Sequence, residues 1–202
     1  MLTSKTILCD SNIPWQHQRY SKQHLMARFA RSNRVLFVNP PVGPARYIKD
    51  TLGLMRERGS VAAPTDTSGV TVYTPFHAPL RDRSALCCAI DPWLQLAQIK
   101  ALVNAVPKEA LVLFLGNPSN YRAATSLRGA FCTVYHCSDA FTSFFSGSLR
   151  ERMGEWETTM LSSVDLVIAS SAALLDRCRQ HNGNSHLVEH GVDEGFFFER
   201  IR

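Results

Sequence analysis

What the sequence lacks narrows it before anything it contains does. No window approaches the ~18 consecutive apolar residues that a bilayer crossing needs. The longest apolar stretches, such as Ala110-Leu-Val-Leu-Phe-Leu115, are strand-sized, so a spanning protein is not expected. The segment from Met1 to Asp10 has one apolar cluster and no hydrophobic region leading to a small-residue cleavage site, so no secretory leader is expected. Among six cysteines there is no C-x-x-C pair and no His at ligand spacing, which argues against a zinc site, and no bound metal is expected. Four of the six, Cys87, Cys88, Cys132 and Cys137, lie inside apolar runs, as reduced core thiols of a cytoplasmic protein do. After the first apolar run there is no G-x-G-x-x-G, and nowhere is there a G-x-x-x-x-G-K-[ST]. Dinucleotide binding by the usual first turn and P-loop chemistry are thereby disfavoured, and no cofactor is expected. Glycine (11) and proline (10) are present in ordinary numbers, which excludes collagen-like, low-complexity and wholly disordered chains. The net charge of +5 favours anionic partners but is far short of a nucleic-acid-coating arm, so nucleic acid is not expected.

What is present is a chain of 202 residues, long enough to bury one continuous core. Short β-branched or aromatic runs recur at Thr6–Cys9, Arg34–Val38, Val70–Thr74, Leu111–Leu115, Thr133–Cys137 and Leu166–Ala169, each ending at a turn former. Such runs predict buried parallel strands. Between them lie helical patterns. Gln18 to Ser32 carries Leu25, Met26, Phe29 and Ala30 on one side and Arg28 and Arg31 on the other. Asp91-Pro92 reads as an N-cap with proline at the first helical position, followed by Leu96, Ile99, Val103 and Val106. Leu149, Met153, Trp156 and Met160 form a third stripe, expected to be core. Leu174, Leu175 and Cys178 form a fourth, capped by Ser170 or Ser171. The alternation predicts an α/β fold: an open, Rossmann-like, doubly wound parallel sheet with helices on both faces. In such sheets ligands bind beyond the carboxyl ends of the strands. The basic stretch Arg19, Lys22, Arg28, Arg31, Arg34 reads as a solvated face.

The strand ends supply the candidate chemistry. After the first strand, Asn12, Trp15, His17, Gln18 and Arg19 combine hydrogen-bonding groups with a flat apolar surface suited to a sugar or a head group. The turn Gly116-Asn-Pro-Ser-Asn-Tyr121 offers Asn117, Ser119 and Asn120 as polar groups, although turn chemistry alone accounts for Asn and Pro there. His136-Cys-Ser-Asp139 places an imidazole and a carboxylate at a strand terminus, where Asp139 can act as a base or orient a hydroxyl. The alternation around His136 fits a satisfied core imidazole better than a catalytic one. Ser170-Ser171 lacks the glycines of a nucleophile elbow.

Five ordered stretches carry a family resemblance. They are Ile13-Pro-Trp15 with Gln18-Arg19 and Gln23-His24-Leu25; Arg34-Val-Leu-Phe-Val-Asn-Pro-Pro41; Val134-Tyr-His-Cys-Ser-Asp139 with Phe141; Glu157 through Asp165-Leu-Val-Ile-Ala-Ser170-Ser171 to Leu174; and His190-Gly-Val-Asp193 with Phe196 or Phe197. In this order the chain resembles the N-terminal, acceptor-side half of a GT-B glycosyltransferase of the family 1/family 4 kind. It departs at Tyr20-Ser21, where those enzymes often carry proline.

The resemblance implies an acceptor domain over residues 1–190 and the start of an interdomain linker at 191–202, with the donor-binding domain absent from this chain. It implies transfer of a sugar from a nucleotide-diphosphate sugar to a hydroxyl, without a metal, in cell-envelope or polysaccharide synthesis. The acceptor would be a carbohydrate or a lipid-linked sugar, the location cytoplasmic with peripheral contact at the inner membrane face, and this chain alone inactive. By resemblance, Asp139 positions the acceptor hydroxyl with His136 as the fallback, while Asn12, Trp15, Gln18, Arg19 and Asn117 bind substrate. A different class remains open: a stand-alone flavodoxin-like binding or regulatory domain, which would bury Phe196-Phe-Phe198 rather than expose it at a hinge.

Overall fold

The computed structural model describes residues 2–15, 20–49, 63–64, 68–79, 85–127 and 129–191. Eight strands form one sheet: β1 (Thr6–Asp10), β2 (Arg34–Val38), β3 (Ala63–Pro64), β4 (Val70–Tyr73), β5 (Leu111–Leu115), β6 (Cys132–Cys137), β7 (Leu166–Ala169) and β8 (Ser185–Leu187). Their spatial order is β3-β4-β2-β1-β5-β6-β7-β8. All neighbours are parallel except β3, which runs antiparallel to β4 at the edge. Helices among the described residues include α1 (Ser21–Phe29), α2 (Ala85–Val103), α3 (Tyr121–Ser126), α4 (Gly147–Ser163) and α5 (Ala172–Arg179).

Strand alternation divides the core in two. Leu8, Leu36, Leu113, Tyr135 and Val167 face Leu96, Ile99 and Val103 of α2, Ala123 and Ala124 of α3, Met160 and Leu161 of α4, and Cys178 of α5. Ile7, Cys9, Val35, Phe37, Val112, Phe114 and Val134 face the opposite way, where Met26 of α1 covers them. Because both faces are buried, the strands are apolar throughout rather than alternating with polar residues. The predicted fold class and the six predicted strands are therefore present. The edge strands β3 and β8, two and three residues long, were too short to leave a periodic signal.

Four local readings differ from expectation. Helix α2 begins before Asp91-Pro92 and carries Pro92 in its interior. Asp91 does not cap it; its Oδ1 accepts a 2.7 Å bond from the Ala78 amide, tying the helix to the chain leaving β4. Helix α1 is shorter than its pattern, with Tyr20 as N-cap and the Tyr20 amide donating to Gln23 Oε1 at 3.2 Å. Lys22, expected on a solvated face, is buried, as is Gln23. In the α4 stripe, Met153 and Met160 are core, but Leu149 is 42% exposed and Trp156 is only half-buried. The cap of α5 is, as expected, one of the two serines: Ser171 accepts from the Leu174 amide at 3.4 Å.

One polar network lies inside. Glu157 is buried on α4, and its Oε1 accepts from the Tyr135 hydroxyl at 2.9 Å and from Arg177 Nη2 at 2.9 Å. Burial of a carboxylate is tolerable because both partners reach it. The network fixes α4 and α5 against the end of β6, and so fixes the wall of the cleft described next.

Candidate active site

Beyond the carboxyl ends of the central strands lies a cleft of about 490 Å³. One wall is polar and comes from the chain leaving β1, β2 and β5: Asp10, Ser11, Asn12, Asn39, Asn117, Ser119 and Asn120. A second part of the lining is aromatic and apolar and comes from the chain after β6 and from α4: Phe141, Phe144, Phe145, Leu149, Met153 and Trp156. Helix α2 closes a third side with Asp91, Pro92, Gln95 and Ile99. Trp156 is held by stacking on Tyr121, with ring centroids 5.8 Å apart and planes at 21°.

Asp10 organises the polar wall. As the last residue of a central strand it is fully buried, and its carboxylate accepts from the Gly116 amide and, at 2.7 Å, from Asn120 Nδ2. It thereby pins the β5 turn to the end of β1. Burial pushes its pKa up, while Lys22, Asn120 and the backbone amides of Gly116 and Asn117 act against that. The Lys22 ammonium donates to the Asp10 carbonyl at 3.4 Å. A Cβ at position 116 would fall on that ammonium and so require Lys22 to move, while it would meet the Asp10 carbonyl at an ordinary contact distance of 3.5 Å.

Several amides of this wall are already committed. Asn39 Oδ1 accepts from the Trp15 amide and Asn39 Nδ2 donates to Thr74 Oγ1, both at 2.8 Å. Asn117 Oδ1 accepts from the Ser119 amide at 3.0 Å. What they leave toward the cleft is one face each, and Asn12 is exposed there.

His136 lies on the α1 side of β6, its ring centroid 5.5 Å from Phe114 and 6.4 Å from His190. It is buried, and its Nδ1 has no partner. Burial, then the Lys22 charge, then His190 lower its pKa to about 4. The imidazole is thus neutral near pH 7, able to accept or donate a hydrogen bond without carrying charge. Asp139 sits three residues on, half-buried, with its Oδ2 accepting from Ser138 Oγ at 2.8 Å.

Of the residues chosen from sequence, Asn12 and Asn117 line the cleft together. Trp15 is 7% exposed and meets Phe37 edge-on with centroids 4.9 Å apart, so it packs beneath the first loop. Gln18, Arg19 and the Phe196-Phe-Phe198 segment lie outside the described residues. His136 and Asp139 stand at and just beyond the end of β6 and are not among the residues that line the cleft. Asn120 and Ser119, offered by the Gly116–Tyr121 turn, also line the cleft. Asp10, Lys22 and Trp156 were not picked for the site, and of these only Asp10, at a predicted strand end, carried a signal for it. Among the described residues no group of three His, Cys, Asp or Glu side chains could hold a metal ion, and no helix is long and apolar enough to cross a membrane.

No protein-family model and no curated protein sequence matches the chain. Solved structures do. A sucrose-phosphate synthase from Thermosynechococcus elongatus superposes with a TM-score of 0.63 at 11% identity, over 94% of this chain and 49% of that one. A shorter form of that enzyme superposes at 0.60 with 12% identity, over 97% and 95% of the two chains. An α,α-trehalose 6-phosphate synthase from Burkholderia multivorans gives 0.50 at 11% identity, over 89% and 41%. The chain spans about half the length of the first of these. It has the Rossmann-like fold that recurs within GT-B glycosyltransferases, matched over nearly all of its own length.

Proposed function

We propose that the chain is the acceptor-side domain of a glycosyltransferase that moves a sugar from a nucleotide-diphosphate sugar to a hydroxyl. Residues 1–190 form that domain and 191–202 lead toward a donor-binding domain, so that the chain alone is inactive. The observation that carries this reading is the division of the cleft into an amide-and-carboxylate wall and an aromatic wall at the carboxyl edge of the sheet. Sugars need both surfaces, because hydroxyls exchange water for amide hydrogen bonds while the C–H faces of the ring stack on aromatic side chains. Asn12 and Asn117 meet acceptor hydroxyls on the polar wall, and Phe141 and Trp156 carry the ring.

Asp139 orients the attacking hydroxyl, and neutral His136 donates or accepts a hydrogen bond beside the reacting centre without adding charge. Gln18 and Arg19 contact acceptor or donor phosphate, and Trp15 packs on Phe37. No cofactor or metal takes part in this scheme. The acceptor is a carbohydrate or lipid-linked sugar of the cell envelope, used in polysaccharide synthesis in the cytoplasm at the inner face of the membrane.

The test is release of nucleoside diphosphate from a panel of nucleotide sugars by the full-length protein, with and without saccharide acceptors. Asp139→Asn is expected to lower turnover by about 10²-fold or more with an unchanged melting transition. Full turnover in that variant would move the positioning role to His136. Absence of donor turnover with every nucleotide sugar, together with saturable binding of some other small molecule, would favour the stand-alone binding domain.

A further inference from the structure

At the carboxyl edge of a parallel sheet, anions are ordinarily held by backbone amides of the turns that follow the strands, where a helix start points its N–H groups outward. Here those donors are already spent. In the turn from β5 into α3 the Gly116 and Asn117 amides go to the Asp10 carboxylate. The Ser119 amide goes to Asn117 Oδ1 and the Asn120 amide to the Asn117 carbonyl, both at 3.0 Å, and the Tyr121 amide goes to the Pro118 carbonyl. With Asn120 Nδ2 added at 2.7 Å, a carboxylate of the chain itself occupies the position that a bound anion would take. After β1 the Ser11 amide donates to the Val38 carbonyl at 3.0 Å, the Ile13 amide to Ser11 Oγ at 3.1 Å and the Trp15 amide to Asn39 Oδ1 at 2.8 Å. After β2 the Asn39 amide donates to the Tyr73 carbonyl at 2.8 Å, and Pro40 and Pro41 have no N–H to offer.

Charge points the same way. Among the described residues that line the cleft, the ionisable side chains are Asp10 and Asp91, and none is Lys, Arg or His, although the chain as a whole carries a net charge of +5. Lys22, whose charge acts on Asp10, is buried against Gly116 with its ammonium donating to the Asp10 carbonyl, and it stands outside the lining. Arg150 and Arg152 of α4 are exposed to solvent and stand outside it too, and Arg122 lies over the Trp93 ring, its Cζ 3.9 Å from the centroid. What the lining offers a ligand is neutral: amide and hydroxyl groups such as those of Asn12 and Ser119, and the rings of Phe141 and Trp156. A phosphate placed there meets carboxylates without a counter-charge, which costs affinity steeply.

We propose that the cleft takes an uncharged sugar and excludes phosphorylated ones, because the Asp10 carboxylate already fills its anion position. The inference rests on the reading of the cleft as a saccharide site and narrows the substrate class of that site. The acceptor ring enters without a phosphate, so any phosphate in the acceptor's linkage lies outside the cleft.

The experiment is saturation-transfer NMR on the full chain, which reads binding without donor or turnover. Glucose, mannose and N-acetylglucosamine are compared with their phosphate monoesters, and inorganic phosphate serves as competitor. At least one neutral sugar is expected to bind saturably, with its phosphate ester about tenfold weaker or more and no displacement by inorganic phosphate. Asn12→Lys puts a cation at an exposed position of the lining. It is expected to strengthen binding of the phosphate ester about tenfold, by an amount that shrinks as salt rises. A phosphate ester that binds as tightly as its parent sugar overturns the proposal, and so does displacement by inorganic phosphate. A preference left unchanged by Asn12→Lys places the discrimination outside the cleft and overturns it as well. Failure of every sugar to bind also overturns it; donor turnover by the full-length protein then keeps the transferase reading, and its absence removes both. A preference for the neutral sugar in a protein that turns over no nucleotide sugar upholds the selectivity and removes the transferase reading alone.

Discussion

His136→Gln provides a sharp test of the site's electrostatics, because burial and two neighbours all push one imidazole the same way. Its ring is 8% exposed, Nδ1 has no partner, and Lys22 and His190 face it. Its pKa falls from the ordinary 6.5 to about 4. Between those values the unfolded chain holds a proton at this position that the folded chain does not. Stability from this group is therefore fully present above pH 6.5 and is lost as pH falls toward about 4. At about 1.4 kcal/mol per tenfold change in proton affinity, the loss is on the order of 3 kcal/mol. Asp10, whose pKa is raised by burial, contributes with the opposite sign, so total stability against pH mixes the two. The difference between wild type and His136→Gln isolates the imidazole. Urea unfolding at half-unit intervals from pH 7.5 to 4 should show wild type losing about 3 kcal/mol relative to the variant. A carbon-13 titration of the ring should show no protonation above pH 5.5. Parallel stability curves, or a ring that titrates near 6.5, would refute the buried, cation-flanked placement.

The remaining expectations concern the walls. Asp10→Ala removes the carboxylate charge nearest the buried Lys22 ammonium and frees the β5 turn from its two side-chain bonds, and should cost about 3–5 kcal/mol in chemical denaturation. Glu157→Ala should cost about 3 kcal/mol and Tyr135→Phe about 1 kcal/mol, measured the same way, because the first leaves Arg177 and Tyr135 without their acceptor and the second removes one bond. Trp156→Ala should cost about 1–2 kcal/mol, less than a core tryptophan, because it removes a half-buried ring and one stacking contact. Its larger effect should be weaker saccharide binding, read by calorimetry on the full-length protein.

The contrast between Lys22 and Trp156 shows where sequence reading stops. The strands were legible because a parallel sheet buried on both faces must be apolar over four to six consecutive residues, a pattern that needs no tertiary information. With the strand order implied by alternating helices, the carboxyl edge and so the general location of the cleft followed as well. Inside the cleft, each residue's role is decided by partners distant in sequence. Lys22 looks like one of five solvated cations until the Asp10 carbonyl and the bare backbone of Gly116 are brought against it. Trp156 falls on an apolar stripe whose period is correct, yet α4 sits at the end of the sheet. Its stripe therefore runs from core at Met160 to cleft at Trp156 and Leu149. Asp91-Pro92 carries every local mark of a helix start and is overruled by one amide, that of Ala78, which takes the carboxylate a cap would have used. Periodicity reports which face of an element is apolar; it does not report where along the element the core ends. That boundary is where a ligand can enter, so the residues nearest the chemistry are those whose pattern is least informative.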